Sequence, residues 1–234
     1  METYDCVVVG AGCYGLAAAK QYRFTHPDHS IRVFASEDTI GGTWAEERLY
    51  PNLKSNNLLG TLEYPDFPMD PERFAVEQGC HVSGSAIHAY LKAYAVEFGL
   101  SDFIHLRTKV TVAEHLGGQN SPQGGWILTV IDLEKQEAAG SKVHARRLIV
   151  ASGLTSVPRI PQLPGEEHFG GRIFHTKFFA QNVDTLKTAR SVTILGGSKS
   201  AWDAAYSYAT AGVQVNWVIR CMLQTLKGLR VMKR

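Results

Sequence analysis

Gly10, Gly12 and Gly15 stand at G-x-G-x-x-G spacing in the stretch DCVVVGAGCYGLAAAK, residues 5–20. That spacing suits the pyrophosphate of a dinucleotide. Gly10 permits a tight strand-to-helix turn, Gly12 lets a phosphate approach bare backbone, and Gly15 lets a helix pack closely on its strand. The phosphates would meet the free N–H groups and the positive dipole end of that helix. The spacing alone also fits an ordinary glycine-rich turn; its context decides for nucleotide. Cys6 to Val9 is an apolar, β-branched run, and Leu16 to Ala19 opens a run of helix formers. The theme returns in SVTILGGSKSAWD, residues 191–203, where Gly196, Ser198 and Ala201 take the three positions. Ala is an accepted third residue, and Ser198 narrows the backbone approach slightly. Val213 to Ile219 reads as the following strand, with Arg220 at its end. A cation there is what a 2′-phosphate needs, which favours NADPH over NADH; a plain surface arginine is the alternative. No Ser/His/Asp or metal-ligand constellation competes with this chemistry.

These turns need parallel strands to carry them. Ile31 to Phe34 is the second strand. A carboxylate near its end would bond the adenosine ribose; Glu37 is the available one, and a solvated loop charge is its other reading. From Ile40 to Asp70 the chain is irregular, with glycine pairs, prolines and aromatics. A segment of that length in a compact domain is usually functional. Gly41 and Gly42 allow close approach to a ligand. Trp44 and Tyr50 either pack on a ring system or anchor the loop, and Asn56 and Asn57 either bond a heteroaromatic edge or shape a turn. Ser83 to Leu100 predicts an amphipathic helix with Ile87, Leu91, Tyr94 and Phe98 on its buried face. Phe103 to Ala113, Trp126 to Leu133 and Val143 to Ala151 read as strands, and Gly117 to Gly125 as a turn-rich link. Three strands in succession without helices suggest an antiparallel insertion on the parallel sheet. Leu148 to Gly153, LIVASG, ends small-small-Gly at the edge where a cofactor would lie. Pro158, Pro161 and Pro164 mark a linker or domain crossover over 155–171.

The 234 residues hold one large domain or two small ones. A net charge of +2 points to no polyanionic partner, and the basic clusters lack interleaved aromatics, which argues against nucleic acid. No apolar run is long enough to span a bilayer. The strand at the N-terminus leaves no room for a signal peptide. Cys6, Cys13, Cys80 and Cys221 form no C-x-x-C pair, which argues against zinc, a disulfide framework and a redox dithiol, and makes a cytoplasmic setting the default.

Two dinucleotide motifs in one chain narrow the field to two-nucleotide flavoproteins. Between them, Phe169, Gly171 and His175 match the F-x-G-x-x-x-H-x-x-x-[YW] signature of class B flavin monooxygenases, with Phe179 where that signature has Tyr or Trp. The chain also resembles the FAD-dependent monooxygenases of fungal secondary-metabolite pathways in GGTW (41–44), YPNLKSNNLLGTLEYPDFPM (50–69), ASGLTSVPRIP (151–161) and GGSKSAWD (196–203). The resemblance runs from Tyr4 to about Arg220. It implies an α/β fold of two Rossmann-like domains, FAD-binding over 1–162 and NADPH-binding over 163–234, with a small antiparallel insertion in the first. It implies FAD contacts at Gly10, Gly12, Cys13, Tyr14, Gly15, Glu37, Gly42, Thr43, Trp44, Ala151 and Gly153, with the backbone of Val110 meeting the adenine. Asn56 would lie near the reactive flavin carbon. NADPH would meet Gly196, Ser198, Lys199, Ser200 and Arg220. His175 would couple the two domains, or make a structural hinge bond. The implied reaction moves one oxygen atom from O2 to a small organic substrate through a flavin C4a-(hydro)peroxide. Family members continue well past the point matching Arg220. A truncated second domain with two clear strands is therefore expected, and with it the alternatives of a non-catalytic FAD-binding fragment, of self-association, or of a partner chain that supplies the missing half. The third plan sharing two Rossmann units, a flavin disulfide reductase, is disfavoured by the missing C-x-x-C.

Overall fold

The computed structural model describes residues 1–117, 124–135, 140–154, 156–220 and 229–232. The chain forms two units: Met1–Glu47 with Lys54–Ser156, and Arg48–Leu53 with Val157–Arg234.

The first unit runs β1 (Glu2–Val9), α1 (Cys13–Thr25), β2 (Ile31–Phe34), β3 (Lys54–Leu58), α2 (Pro71–Phe74), β4 (His81–Ser83), α3 (Gly84–Glu97), β5 (Ile104–His105), β6 (Thr108–His115), β7 (Trp126–Asp132) and β8 (Ser141–Val150). Its main sheet is ordered β5-β2-β1-β8-β7-β6. β1 lies parallel to β2 and β8, and β2 is parallel to β5. The helix α1 carries the chain from β1 to β2, as a parallel pair requires. Cys6, Val7 and Val8 of the central strand are fully buried, which is why its sequence is apolar without alternation. Val9 pairs with Phe34 on one side and Val150 on the other, so the three strands end level. That register gathers the turn after β1, the residues after β2 and Ala151–Gly153 at one edge.

β7 pairs antiparallel with both β6 and β8, the meander that three successive strands predict. It returns to the end of β2: Thr108 N–H donates to the Ala35 carbonyl at 2.8 Å and Arg107 N–H to that of Glu37 at 3.0 Å. The expected single strand over 103–113 is two strands. Arg107 sits between them at φ 50°, and its guanidinium pairs with Asp38 at 3.3 Å and Glu134 at 3.2 Å. Most of the link between Gly117 and Gly125 lies outside the described residues.

The irregular stretch 40–70 contains two 3-10 turns, Gly42–Trp44 and Glu46–Arg48, and one strand, β3, which pairs with β4 in a separate two-stranded ribbon. α3 starts one residue later and ends three residues earlier than the periodicity predicts. Ser83 is its N-cap, accepting from Ala86 N–H at 3.2 Å, and Gly99 at φ 58° turns the chain at the other end. Ile87, Leu91 and Tyr94 are buried to 1% exposure. Ser83→Ala is expected to cost about 1 kcal/mol, read as a lower urea midpoint with an unchanged slope. An unchanged midpoint would mean that packing, not the cap, fixes the helix start.

The second unit runs α4 (Thr185–Thr188), β9 (Ser191–Leu195), α5 (Lys199–Thr210), β10 (Gln214–Arg220) and β11 (Leu229–Met232). β9 and β10 are parallel, and β11 adds antiparallel to the outer edge of β10, Val218 against Val231. The expectation of two strands with an open edge is therefore corrected. The unpaired backbone of β10 is satisfied by a strand from the chain's own last residues. Phe179, Ile194, Tyr208, Val213 and three alanines of α5 form this unit's core.

Candidate nucleotide-binding site

The turn after β1 is built from backbone meeting backbone. A Cβ on Gly10, at φ 108°, would lie 2.4 Å from the Ala151 carbonyl oxygen; one on Gly15 would lie 1.9 Å from that of Gly10. Ala151 N–H donates to the Val9 carbonyl at 2.8 Å, closing Ala151 onto the turn. These two glycines are required by the fold itself. Gly12 is different. Its φ is −83°, and a Cβ there would find only ordinary contact, 3.6 Å from Gly42 Cα. The backbones of Gly12 and Gly41 bridge, and Gly41 N–H donates to the Ala11 carbonyl at 3.0 Å. Gly41 at φ 133° and Gly42 at φ 61° shape a 3-10 turn over Gly42–Trp44 that faces the start of α1. Gly10, Gly12, Gly15, Gly41, Gly42 and Ala151 thus converge at the sheet's C-terminal edge, leaving a side-chain-free face at the helix N-terminus.

The flanking residues sort by exposure. Tyr14 is 84% exposed beside the turn, and Thr43, Ser152 and Gly153 are exposed along it. Cys13 begins α1 half-buried, and burial pushes its thiol up; the Cys6 thiol is pushed up to about 11 for the same reason. Neither is a thiolate at neutral pH. Trp44 is half-buried against the core, and its carbonyl is 3.1 Å from His88 Nδ1. Tyr64 Oη donates to the Cys13 carbonyl at 2.5 Å. His88 and Tyr64 hold the turn's two halves in place, and no sequence motif marks either. Glu37 lies just past β2, and its carbonyl bond to Arg107 brings the start of β6, hence Val110, to the same end of the sheet. Ala35, directly after β2, is buried and has no carboxylate to offer. Asn56 is exposed on the β3–β4 ribbon, while Ser55 beside it is buried and donates to the Asn57 carbonyl at 2.6 Å.

The second unit repeats the arrangement. Gly196, at φ 132°, ends β9, and its N–H donates to the Val218 carbonyl at 3.0 Å. A Cβ on Gly197 would lie 2.8 Å from Ile219 Cγ2, so the end of β10 packs on this turn. Ser198 is the extended N-cap of α5, and Lys199 and Ser200 form its first turn. Arg220 ends β10 two residues beyond Val218, at the same edge. His175 is a local cap: its Nδ1 accepts from Lys177 N–H at 3.1 Å. Of its two sequence readings, that bond gives the structural one a partner. Tyr50 anchors its loop, with its ring 5.1 Å from that of Phe179 and its hydroxyl 2.6 Å from Asp203.

Two mixed sheets, each with parallel strands that end in a glycine turn and a helix N-terminus, have the local architecture of dinucleotide-binding units. Comparison with known proteins narrows that class. Residues 4–234 match the model of the FMO-like family, flavin-binding monooxygenase-like proteins, so the chain belongs to that family. An FAD-dependent monooxygenase of Pyrenophora dematioidea is 42% identical over 228 residues, covering 93% of this chain and 39% of that one. The FAD-dependent monooxygenase resA of Aspergillus sclerotiorum is 38% identical over 221 residues, covering 93% and 37%. The solved structure of an oxidized steroid monooxygenase bound to NADP is 28% identical, with a TM-score of 0.72, covering 91% of this chain and 38% of that one. The chain thus spans 37–39% of the length of these three relatives. Among the described residues, no group of His, Cys, Asp and Glu could hold a metal ion, and no helix is long and apolar enough to cross a membrane.

Proposed function

We propose that this chain carries the FAD site and the NADPH turn of a flavin-dependent monooxygenase acting on a small organic substrate in secondary metabolism. One observation supports the reading above all. Gly10 and Gly15 lack side chains because the fold has no room for them, whereas Gly12 has room and is still bare. A glycine the fold does not need, facing Gly42 at a helix N-terminus, suits a pyrophosphate drawn onto main-chain N–H groups. In this reading Gly10, Gly12, Cys13, Tyr14, Gly15, Gly42, Thr43, Trp44, Ala151 and Gly153 surround FAD, Glu37 and Val110 flank its adenosine, and Asn56 faces its ring. Gly196, Ser198, Lys199, Ser200 and Arg220 take NADPH. FAD, when bound, supplies the electron transfer and oxygen activation. The chain's residues orient the two nucleotides, exclude water and leave one oxygen atom for the substrate while the other departs as water. The names of the fungal relatives and the NADP-bound steroid monooxygenase support the cofactor pair.

The coverage of 37–39% of the relatives' length favours a second reading, an FAD-binding unit that needs a partner chain for turnover. Absorbance spectroscopy of the purified chain, then NADPH under air, separates the two. The first reading expects a flavin spectrum that bleaches on NADPH addition and recovers with oxygen. Bound flavin that NADPH leaves unchanged would favour the second. A folded, colourless chain that takes up no added FAD would overturn both.

A further inference from the structure

Lys199 is the first residue of α5, and its ammonium folds back along the helix onto Asp203. The oxygen it meets, Oδ2, is the one that accepts from Tyr50 Oη at 2.6 Å. Tyr50 packs its ring, tilted at 44°, against that of Phe179, itself 1% exposed and packed on Phe174 and Tyr208. Burial, then the Asp203 carboxylate, pushes the Tyr50 phenol above its ordinary range, so it stays a donor. The segment Arg48–Leu53 that brings Tyr50 here belongs to the second unit, although its flanks belong to the first.

Helix energetics do not explain this ion pair. A cation in the first turn sits at the positive end of the helix dipole. A lysine placed N-terminal to its acid at i,i+4 has the weaker of the two orientations. What holds the pair is Tyr50, which fixes the carboxylate from outside the helix. The pair also moves the charge. At 1.5 Å rise per residue, the partner's Cα lies about 6 Å further along the axis, so the pair turns the ammonium toward the helix body and away from the N–H groups that would face a phosphate.

Resting on the reading of this turn as the NADPH site, we propose that Asp203, oriented by Tyr50, is a positioning residue that holds Lys199 back from the nucleotide phosphate. A bound nucleotide must take the lysine from the carboxylate, and two anions compete for one cation. Asp203 therefore sets affinity downward, and Tyr50 sets how firmly it does so.

The test is calorimetric titration of the full chain with NADP+ at low ionic strength, with circular dichroism to confirm the fold of each variant. Asp203→Asn is expected to bind about fivefold tighter than wild type, and Lys199→Ala about tenfold weaker. In the Lys199→Ala background, Asp203→Asn is expected to change affinity by less than about twofold, since the partner it restrains is gone. Tyr50→Phe, which leaves the carboxylate unclamped, is expected to bind about twofold tighter, and it carries the test if Asp203→Asn does not fold. Wild type that binds NADP+ while Asp203→Asn binds no tighter, or gains as much without Lys199, overturns the inference and leaves the site reading intact. Wild type that retains flavin but gives no heat with NADP+ overturns the site reading, and the inference with it.

Discussion

Gly15→Ala is expected to destabilise the first unit by about 3 kcal/mol, at the upper end for inserting one methyl into a packed interior. The new Cβ would sit 1.9 Å from the Gly10 carbonyl oxygen. That oxygen belongs to the main chain at the sheet's edge and cannot rotate away as a side chain would. Relief requires α1 to move off β1, which separates Leu16 and Ala19, both fully buried, from the strand. In a chain of this length the loss lowers the first thermal transition by roughly 6–12 °C. Gly12→Ala is the matched control. Its φ is ordinary and its nearest neighbour would be 3.6 Å away, so the thermal transition of the flavin-free protein is expected to stay within about 2 °C of wild type. FAD affinity should nonetheless fall by about a hundredfold, because the added methyl stands where the phosphate approaches main chain. Calorimetry of both apo variants, then flavin titration, reads the two effects apart. Equal melting of Gly15→Ala and wild type would show that the helix–strand contact has slack. Full FAD affinity in Gly12→Ala would remove the observation on which the nucleotide reading chiefly rests.

The contrast between these glycines marks how far the sequence could be read. Their spacing, with a β-branched run before and helix formers after, is a local pattern, and local patterns survive without coordinates. So do the register-free features: β2 over Ile31–Phe34, the antiparallel meander and the helix with a serine cap, Ser83 or Ser85 by sequence and Ser83 in the structure. What the sequence could not show are partners distant along the chain. Gly12 meets Gly42 across 30 residues, and Tyr50 meets Asp203 across 153. The alternatives for Tyr50, ring platform or loop anchor, were chemically equal until Phe179 and Asp203 were placed beside it. Arg107 split an apparently continuous strand because a positive φ leaves no trace in an apolar pattern. β11 carries no strand signal because four residues are too few to show a period, and its pairing with β10 is not local. His88 and Tyr64 carry no motif because they act on main-chain carbonyls, which every residue has.

Phe179→Ala should have the second large effect, about 3–5 kcal/mol, and should confine it to the second unit. The ring is 1% exposed and lies between those of Tyr50, at 5.1 Å, Tyr208, at 5.4 Å, and Phe174, at 6.4 Å. The rest of the buried cluster is Ile194, Tyr208, Val213 and the alanines of α5, with Tyr50, Phe174, Leu186 and Trp217 packed against it, so the phenylalanine ring is the hub that its neighbours share. Three alanines on one helix face are the physical reason a single phenylalanine carries so much of this unit. The same crowding explains a phenylalanine where the monooxygenase signature has Tyr or Trp. Three rings surround it, and a hydroxyl added among them would need a hydrogen-bond partner to avoid a desolvation cost. Limited proteolysis followed by mass spectrometry is the direct reading. Phe179→Ala should be cut rapidly within 157–220 while the first unit persists as a protected fragment. Phe179→Leu, which keeps most of the volume, should cost under about 2 kcal/mol and resist cleavage at the same protease dose. If Phe179→Ala is cut no faster than wild type, the second unit is held by something other than this aromatic core. The Tyr50–Asp203 bond would then be the main tie of the 48–53 segment, and Tyr50→Phe rather than Phe179→Ala would be the variant that releases it.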